Sequence, residues 1–256
     1  VNNIMDIQKY LEHIQAERRN ELSLAYLSHL QKQQVLHVHF ENLDILAKKP
    51  LSLREEDLFQ KIVHAKKGGV CYELNGIFYF LLKELGYEPY LMAGTVYVGN
   101  GVWALENAHL FIIVPLDNKE YLVDVGTGGN SPRLPVPLSG GEVVDSDGMY
   151  RVYKDETKAL FYLQKKSDEE WETQYRFETP SHLWNLENIH PICVQTETSP
   201  KSMFNKMYFL SRVTENGRIT LLGNTLIIVN GKEKTKRKLE EHEIEETVRR
   251  YFQIEI

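Results

Sequence analysis

Cysteine is scarce in this 256-residue chain: only Cys71 and Cys193 are present. Two cysteines cannot build a disulfide framework or a paired-cysteine zinc site, so a reducing, cytoplasmic setting is expected. No apolar run is long enough to cross a bilayer. The N-terminal stretch VNNIMDIQKYLEHIQAERR lacks an apolar h-region, so no secretion signal is expected. Positive charge is in deficit, and a net charge of -6 argues against general affinity for nucleic acid. Internal repeats and low-complexity segments are missing too. What is there, 42% apolar and 26% charged residues, suits a soluble globular enzyme or binding protein with a real core.

The first third has helical periodicity. Tyr10, Leu11, Ile14, Leu22, Leu24, Leu27 and Leu30 predict a helix over 5–34. The stretch 35–46, VLHVHFENLDIL, is β-branched, aromatic and turn-like, and is expected to leave that helix. A second helix is predicted over 53–63, and a third opens at Cys71 and stops at Gly86. After Gly86, short strand-like runs separated by turn residues indicate antiparallel β structure of the barrel kind. A Gly- and Pro-rich loop, 127–142, is too long for a hairpin turn. A connector, HPICVQTETSPKSMFNKM, precedes strand-like runs punctuated at Glu215-Asn216-Gly217 and Asn230-Gly231, and an amphipathic helix closes the chain.

Chemistry concentrates around HAKKGGVCYELNGIFYFLLKELG, 64–86. Cys71 sits near a helix N-terminus, where the macrodipole favours the thiolate, the nucleophilic form. Gly68 and Gly69 permit close backbone approach and are expected to leave N–H groups free for an oxyanion. His109 and Asp124 lie in two apolar runs flanking Asp117-Asn118, a two-residue hairpin turn. If Leu116 pairs with Lys119, His109 and Asp124 become diagonal neighbours on one face; a one-residue slip separates them. A lone cysteine is more often an inert core residue, and Asp before Gly more often a turn former. The combination favours a Cys-His-Asp triad.

These residues resemble the arylamine N-acetyltransferase family. KKGGVCYELNGIF is similar to its Arg-Gly-Gly-x-Cys segment and HFENLDI, 39–45, to its Pro-Phe-Glu-Asn-Leu segment. NAHLFIIV, YLVDVGTGG and TSPKSMF resemble its His, Asp and interdomain segments. The resemblance implies an α+β fold: a helical bundle (1–86) carrying the nucleophile, an antiparallel β-barrel (87–190) carrying His and Asp, a connector (191–206) and an α/β lid (207–256). It implies acetyl-CoA as co-substrate, no metal, and an arylamine or hydrazine acceptor acetylated through an acetyl-cysteine at Cys71. It implies a substrate pocket with Phe40, Val70 and Thr127, and site support from Glu41 and Lys67. Lys67 stands where the family has Arg, Thr127 where it usually has Phe, and His39 where it has Pro.

Gly128 and Gly129 are candidate contacts to the CoA pyrophosphate. KTKRK, 234–238, is more simply a solvated strand, His37 and His39 lack a third ligand, and Cys193 reads as a buried thiol. Phe40, Tyr72, Tyr97 and Trp103 suit an aromatic pocket and core packing equally. The same triad serves a transglutaminase-like or other cysteine hydrolase, and a non-catalytic CoA-binding relative remains a third reading.

Overall fold

A computed structural model describes residues 5–129, 132–146, 148–167, 169–179 and 183–255. Helix α1 (Ile7–His13) starts at Asp6, whose carboxylate accepts from the Lys9 amide. The single helix expected over 5–34 is two. Gln15 turns left-handed (φ 56°), and the charged stretch that follows has no apolar face to bury. Tyr26 Oη accepts from the Arg19 amide and donates to the Glu17 carbonyl, satisfying backbone outside the helix. Helix α2 (Leu24–His37) begins at a Ser23 cap and ends near the expected exit. Phe40 then makes backbone bridges to both Gly69 and Ser211. A short helix α3 (Leu43–Leu46) follows. Helix α4 (Glu55–Phe59) runs into a π-helical turn, Gln60–His64. Helix α5 (Cys71–Glu84) opens at Cys71 as expected, and its end is turned by Gly86 (φ 100°).

Among the described residues, nine strands form one antiparallel sheet: β1 (Tyr90–Gly99), β2 (Val102–Trp103), β3 (His109–Leu116), β4 (Lys119–Val123), β5 (Val136–Pro137), β6 (Val143–Asp145), β7 (Gly148–Asp155), β8 (Leu160–Ser167) and β9 (Glu170–Glu178). The order is β5-β4-β3-β1-β9-β8-β7-β6, with β2 on β1 and β5 lying against β7, so the barrel is nearly closed. Leu116 pairs with Lys119 across Asp117 and Asn118, both at positive φ as a tight hairpin turn demands. Strand β3 is buried on both faces: Phe111 and Ile113 fill the barrel, while Leu110, Ile112 and Val114 join the core with α5.

The expected connector is helical over its first half. Helix α6 (Leu186–Thr198) starts at Asn185, whose side chain accepts from the Glu187 and Asn188 amides, and it tolerates Pro191 in its interior. Asn42 then holds the following turn: its Nδ2 donates to the carbonyls of Phe204 and Met207, and its Oδ1 accepts from the Phe209 amide. The lid is a meander of β10 (Phe209–Thr214), β11 (Gly217–Leu222), β12 (Thr225–Asn230) and β13 (Glu233–Lys238). Its core pairs Leu210, Leu221 and Leu226 with Val248 and Phe252 of α7 (Ile244–Phe252).

The stretch 127–142, expected as one loop, contains strand β5 paired with β4; the part before β5, of which 130 and 131 lie outside the described residues, is tied on two sides. Gln31 Nε2 donates to the Pro132 carbonyl. Arg133 is buried and donates to the carbonyls of Glu215 and Gly217 in the lid and to Ser146 Oγ. Arg133→Met strands these acceptors and is expected to lower the unfolding free energy by about 2–4 kcal/mol, as urea denaturation would measure.

Candidate active site

Cys71 is the first residue of α5, His109 the first of β3, and Asp124 follows β4 directly. The three are buried together, at 7%, 4% and 0% exposure. His109 Nε2 lies 2.7 Å from Asp124 Oδ2. That bond leaves Nδ1 as the second ring nitrogen, and Cys71 is among the groups that favour the protonated imidazole. The Cys71 thiol also lies 3.8 Å from the Ala108 carbonyl oxygen.

Asp124 accepts three further bonds. Tyr175 Oη donates to Oδ2 (2.9 Å), while Asn75 Nδ2 (3.0 Å) and the Gly126 amide (2.9 Å) donate to Oδ1. Burial opposes the Asp124 charge, but His109 and these donors outweigh it and hold the carboxyl below its ordinary range. Burial would likewise lower the His109 pKa; the Asp124 charge and hydrogen bond, with Cys71, instead raise it to about 10. The Tyr175 ring packs on the imidazole with centroids 4.8 Å apart. Asn75 also donates to the Leu110 carbonyl and accepts from the Val125 amide, so it locks α5 to both strands of the hairpin. Gly126 is needed for that contact: a Cβ there would lie 2.8 Å from the Cys71 Cα.

The other expected site residues are dispersed around this centre. Phe40 and Val70 are buried, and Phe40 packs against Phe204 and Phe209. Thr127 is half-buried at the start of the long loop. Gly128 and Gly129 have positive φ, and Cβ atoms on them would strike the Phe209 ring and Ser211 Oγ, so lid packing accounts for both glycines. The Gly69 N–H is not free, since it donates to the His39 carbonyl, and a Cβ on Gly68 would lie 2.2 Å from that same oxygen. Tyr72 is a core residue, its hydroxyl donating to the Ala108 carbonyl and meeting Thr196 Oγ1. Tyr97 and Trp103 pair across the β1–β2 hairpin. His39 meets the edge of Phe252, and Cys193 is fully buried in α6. Strand β13, which contains KTKRK, is exposed throughout.

Lys67 points to solvent, and the cation nearest Glu41 is Lys61, at 3.9 Å. Lys61 Nζ also meets Glu73 Oε1 (2.7 Å) and Asp44 Oδ2 (2.8 Å). Glu73 accepts from the Val70 amide through its other oxygen, supplying the cap that the Val70 side chain cannot. Burial raises the Glu73 pKa to about 7 despite Lys61 and the Val70 amide. Asn75, Tyr175, Lys61 and Glu73 went unread in the sequence; Asn75 alone carried a local signal, four residues after Cys71 on one helix face.

A family model described as N-acetyltransferase matches residues 23–256. The chain is 38% identical over 185 residues to the uncharacterized acetyltransferase YvcN of Bacillus subtilis, covering 71% of this chain and 72% of that one. Among solved structures, an arylamine N-acetyltransferase from Bacillus cereus with a unique Cys-His-Glu catalytic triad superposes with a TM-score of 0.88, at 28% identity, covering 98% of this chain and 100% of that one. The Mycobacterium marinum arylamine N-acetyltransferase in complex with CoA superposes with a TM-score of 0.89, at 28% identity, covering 97% and 93%. The chain belongs to the N-acetyltransferase family, with the arylamine N-acetyltransferase fold, and is an acyltransferase. No helix among the described residues is long and apolar enough to cross a membrane.

Because folding raises the His109 pKa from 6.5 to about 10, the native state binds the extra proton between those values. The stabilisation is complete below about pH 6.5 and is lost as the pH climbs through 10. Relative to His109→Gln, wild-type unfolding free energy should fall by about 1 kcal/mol or more over that window in denaturant titrations at successive pH values.

Proposed function

We propose that the protein is an acetyl-CoA-dependent arylamine or hydrazine N-acetyltransferase that works in two steps through an acetyl-cysteine at Cys71. The observation that carries this reading is the His109 imidazole held on a fully buried Asp124, with the Cys71 thiol 3.8 Å from the carbonyl oxygen of Ala108, the residue before His109. An imidazole kept protonated through neutral pH gives a Cys71 thiolate its cation.

In the first step the Cys71 sulfur attacks the thioester carbonyl carbon of acetyl-CoA. The Glu73 and Leu74 amides are taken by the Val70 carbonyl, so in this reading the Cys71 and Tyr72 amides at the start of α5 are the donors offered to the developing oxyanion. The intermediate collapses with cleavage of the carbon–sulfur bond to CoA, whose sulfur takes the proton from His109. In the second step the amine nitrogen attacks the acetyl carbonyl, His109 accepts the amine proton, and the Cys71 thiolate departs. Sulfur replaces sulfur in the first step, so exchange is nearly balanced and a good nucleophile suffices. Asp124 keeps Nε2 protonated and offsets the imidazolium charge, and Tyr175 and Asn75 fix its two oxygens.

The CoA complex of the Mycobacterium marinum relative supports CoA as the carrier. In this reading the backbone at Gly128 and Gly129 meets the pyrophosphate, and Phe40, Val70 and Thr127 border the acceptor. Thr127, small and polar, shifts selectivity among acceptors, and the enzyme works in the cytoplasm.

Intact-mass measurement of the protein mixed with acetyl-CoA, with amine omitted, should show one added acetyl group, absent in Cys71→Ala and discharged by an arylamine or hydrazine. A wild-type protein that stays unmodified while Cys71 remains alkylatable would overturn the acetyl-transfer reading. Asp124→Asn should fold but acylate about 10²–10⁴-fold more slowly in stopped-flow assays.

A further inference from the structure

Lys61 is almost enclosed, with 13% of its side chain exposed, and it faces three carboxylates from two pieces of chain. Glu73 lies in the first turn of α5, two residues after Cys71, while Glu41 and Asp44 lie in and beside α3. Lys61 itself comes from the π-helical turn. The Glu41 segment is bonded in turn to the glycines that precede Cys71: the Glu41 amide donates to the Gly69 carbonyl, and the Glu41 carboxylate accepts from the Leu43 amide at 2.6 Å. One ammonium thus joins the π-helical turn, the 41–44 segment and the first turn of α5.

Stability alone does not account for this arrangement. Two buried carboxylates and a half-buried third around one cation carry a desolvation cost, and apolar side chains of similar volume commonly serve a core as well or better. What the charges add is direction. Glu73 holds the Val70 amide with one oxygen at 3.1 Å and Lys61 with the other at 2.7 Å, so the position of Lys61 sets the axis on which α5 begins. Cys71 is the first residue on that axis, and its thiol must meet an imidazole fixed independently by Asp124 and Tyr175.

We infer that Lys61, acting through Glu73, is a positioning residue for Cys71: it fixes the first turn of α5 and so aims the thiol at His109. The inference rests on Cys71 being the nucleophile proposed above.

Cys193 provides an internal control, because it is fully buried in α6 and is not part of this cluster's hydrogen bonding. The test is the rate of iodoacetamide alkylation at Cys71 and at Cys193, read by peptide mass spectrometry in native buffer, for wild type, Lys61→Met, Lys61→Arg, Lys67→Met and Glu73→Gln. Lys61→Met is expected to slow Cys71 at least tenfold with Cys193 still protected. Lys61→Arg should recover most of the rate, and Lys67→Met should cost less than threefold. An unchanged Cys71 rate in folded Lys61→Met overturns the inference. So does Cys193 becoming reactive in parallel, which marks general loosening, or an equal loss in Lys67→Met. Should Lys61→Met not fold, Glu73→Gln decides by the same two rates: its amide oxygen can still accept from Val70, but its charge toward Lys61 is gone. Alkylation needs no acyl donor, so a wild-type protein that alkylates at Cys71 yet takes no acetyl group would sink the acetyl-transfer reading and leave this measurement standing.

Discussion

The Asp124 carboxylate has no exposed surface, and a charge in that position persists only if donors replace the water it has lost. Four do so, and they come from four places: His109 on β3, Asn75 on α5, Tyr175 on β9 and the Gly126 amide beyond β4. Satisfying one anion therefore brings the nucleophile helix against the hairpin and fixes the imidazole to both. Gly126 and Asn75 are consequences of the same demand: the helix must come close enough for its amide to reach, and a side chain at 126 would hold it away.

The part of this arrangement legible in the sequence is the part that local rules determine. Asp117-Asn118 specifies a two-residue turn, the turn fixes the strand register, and the register puts His109 and Asp124 on one face. Cys71 at a helix start follows from the glycines and the apolar spacing after it. Tyr175 was out of reach because the approach of β9 to β1 is a matter of sheet order, which alternation along one strand does not encode. The helix break at Gln15 was missed because Leu22 and Leu24 keep the helical spacing although both are largely exposed. Helix α6 was missed because Pro191 and the β-branched residues around it argue for an irregular connector. Lys61 was missed for a related reason: the sequence points to the lysine beside the glycines, and the π-helical turn brings a different one inward.

The lid and the barrel loop share a second kind of dependence, in which small residues and one large cation divide the work. Gly128 and Gly129 let the loop lie against Phe209 and Ser211, and Arg133 a few residues on reaches through to the β10–β11 turn. Asn42 does the equivalent from the helical side, receiving and giving hydrogen bonds to the turn after α6 and to the first residue of β10. The lid is thus held from both neighbours by side chains bonded to its backbone, with the aromatic trio Phe40, Phe204 and Phe209 packed between.

Among the described residues strand β13 has a partner on one side only, so the lid sheet ends there in a row of open peptide groups. All six of its residues are exposed, and Lys234, Lys236, Arg237 and Lys238 are among them. A second molecule bringing the same edge alongside would set cation against cation at close range, at a cost that recurs along the strand. The basic run thereby acts as a guard against edge-to-edge pairing of two molecules through β13.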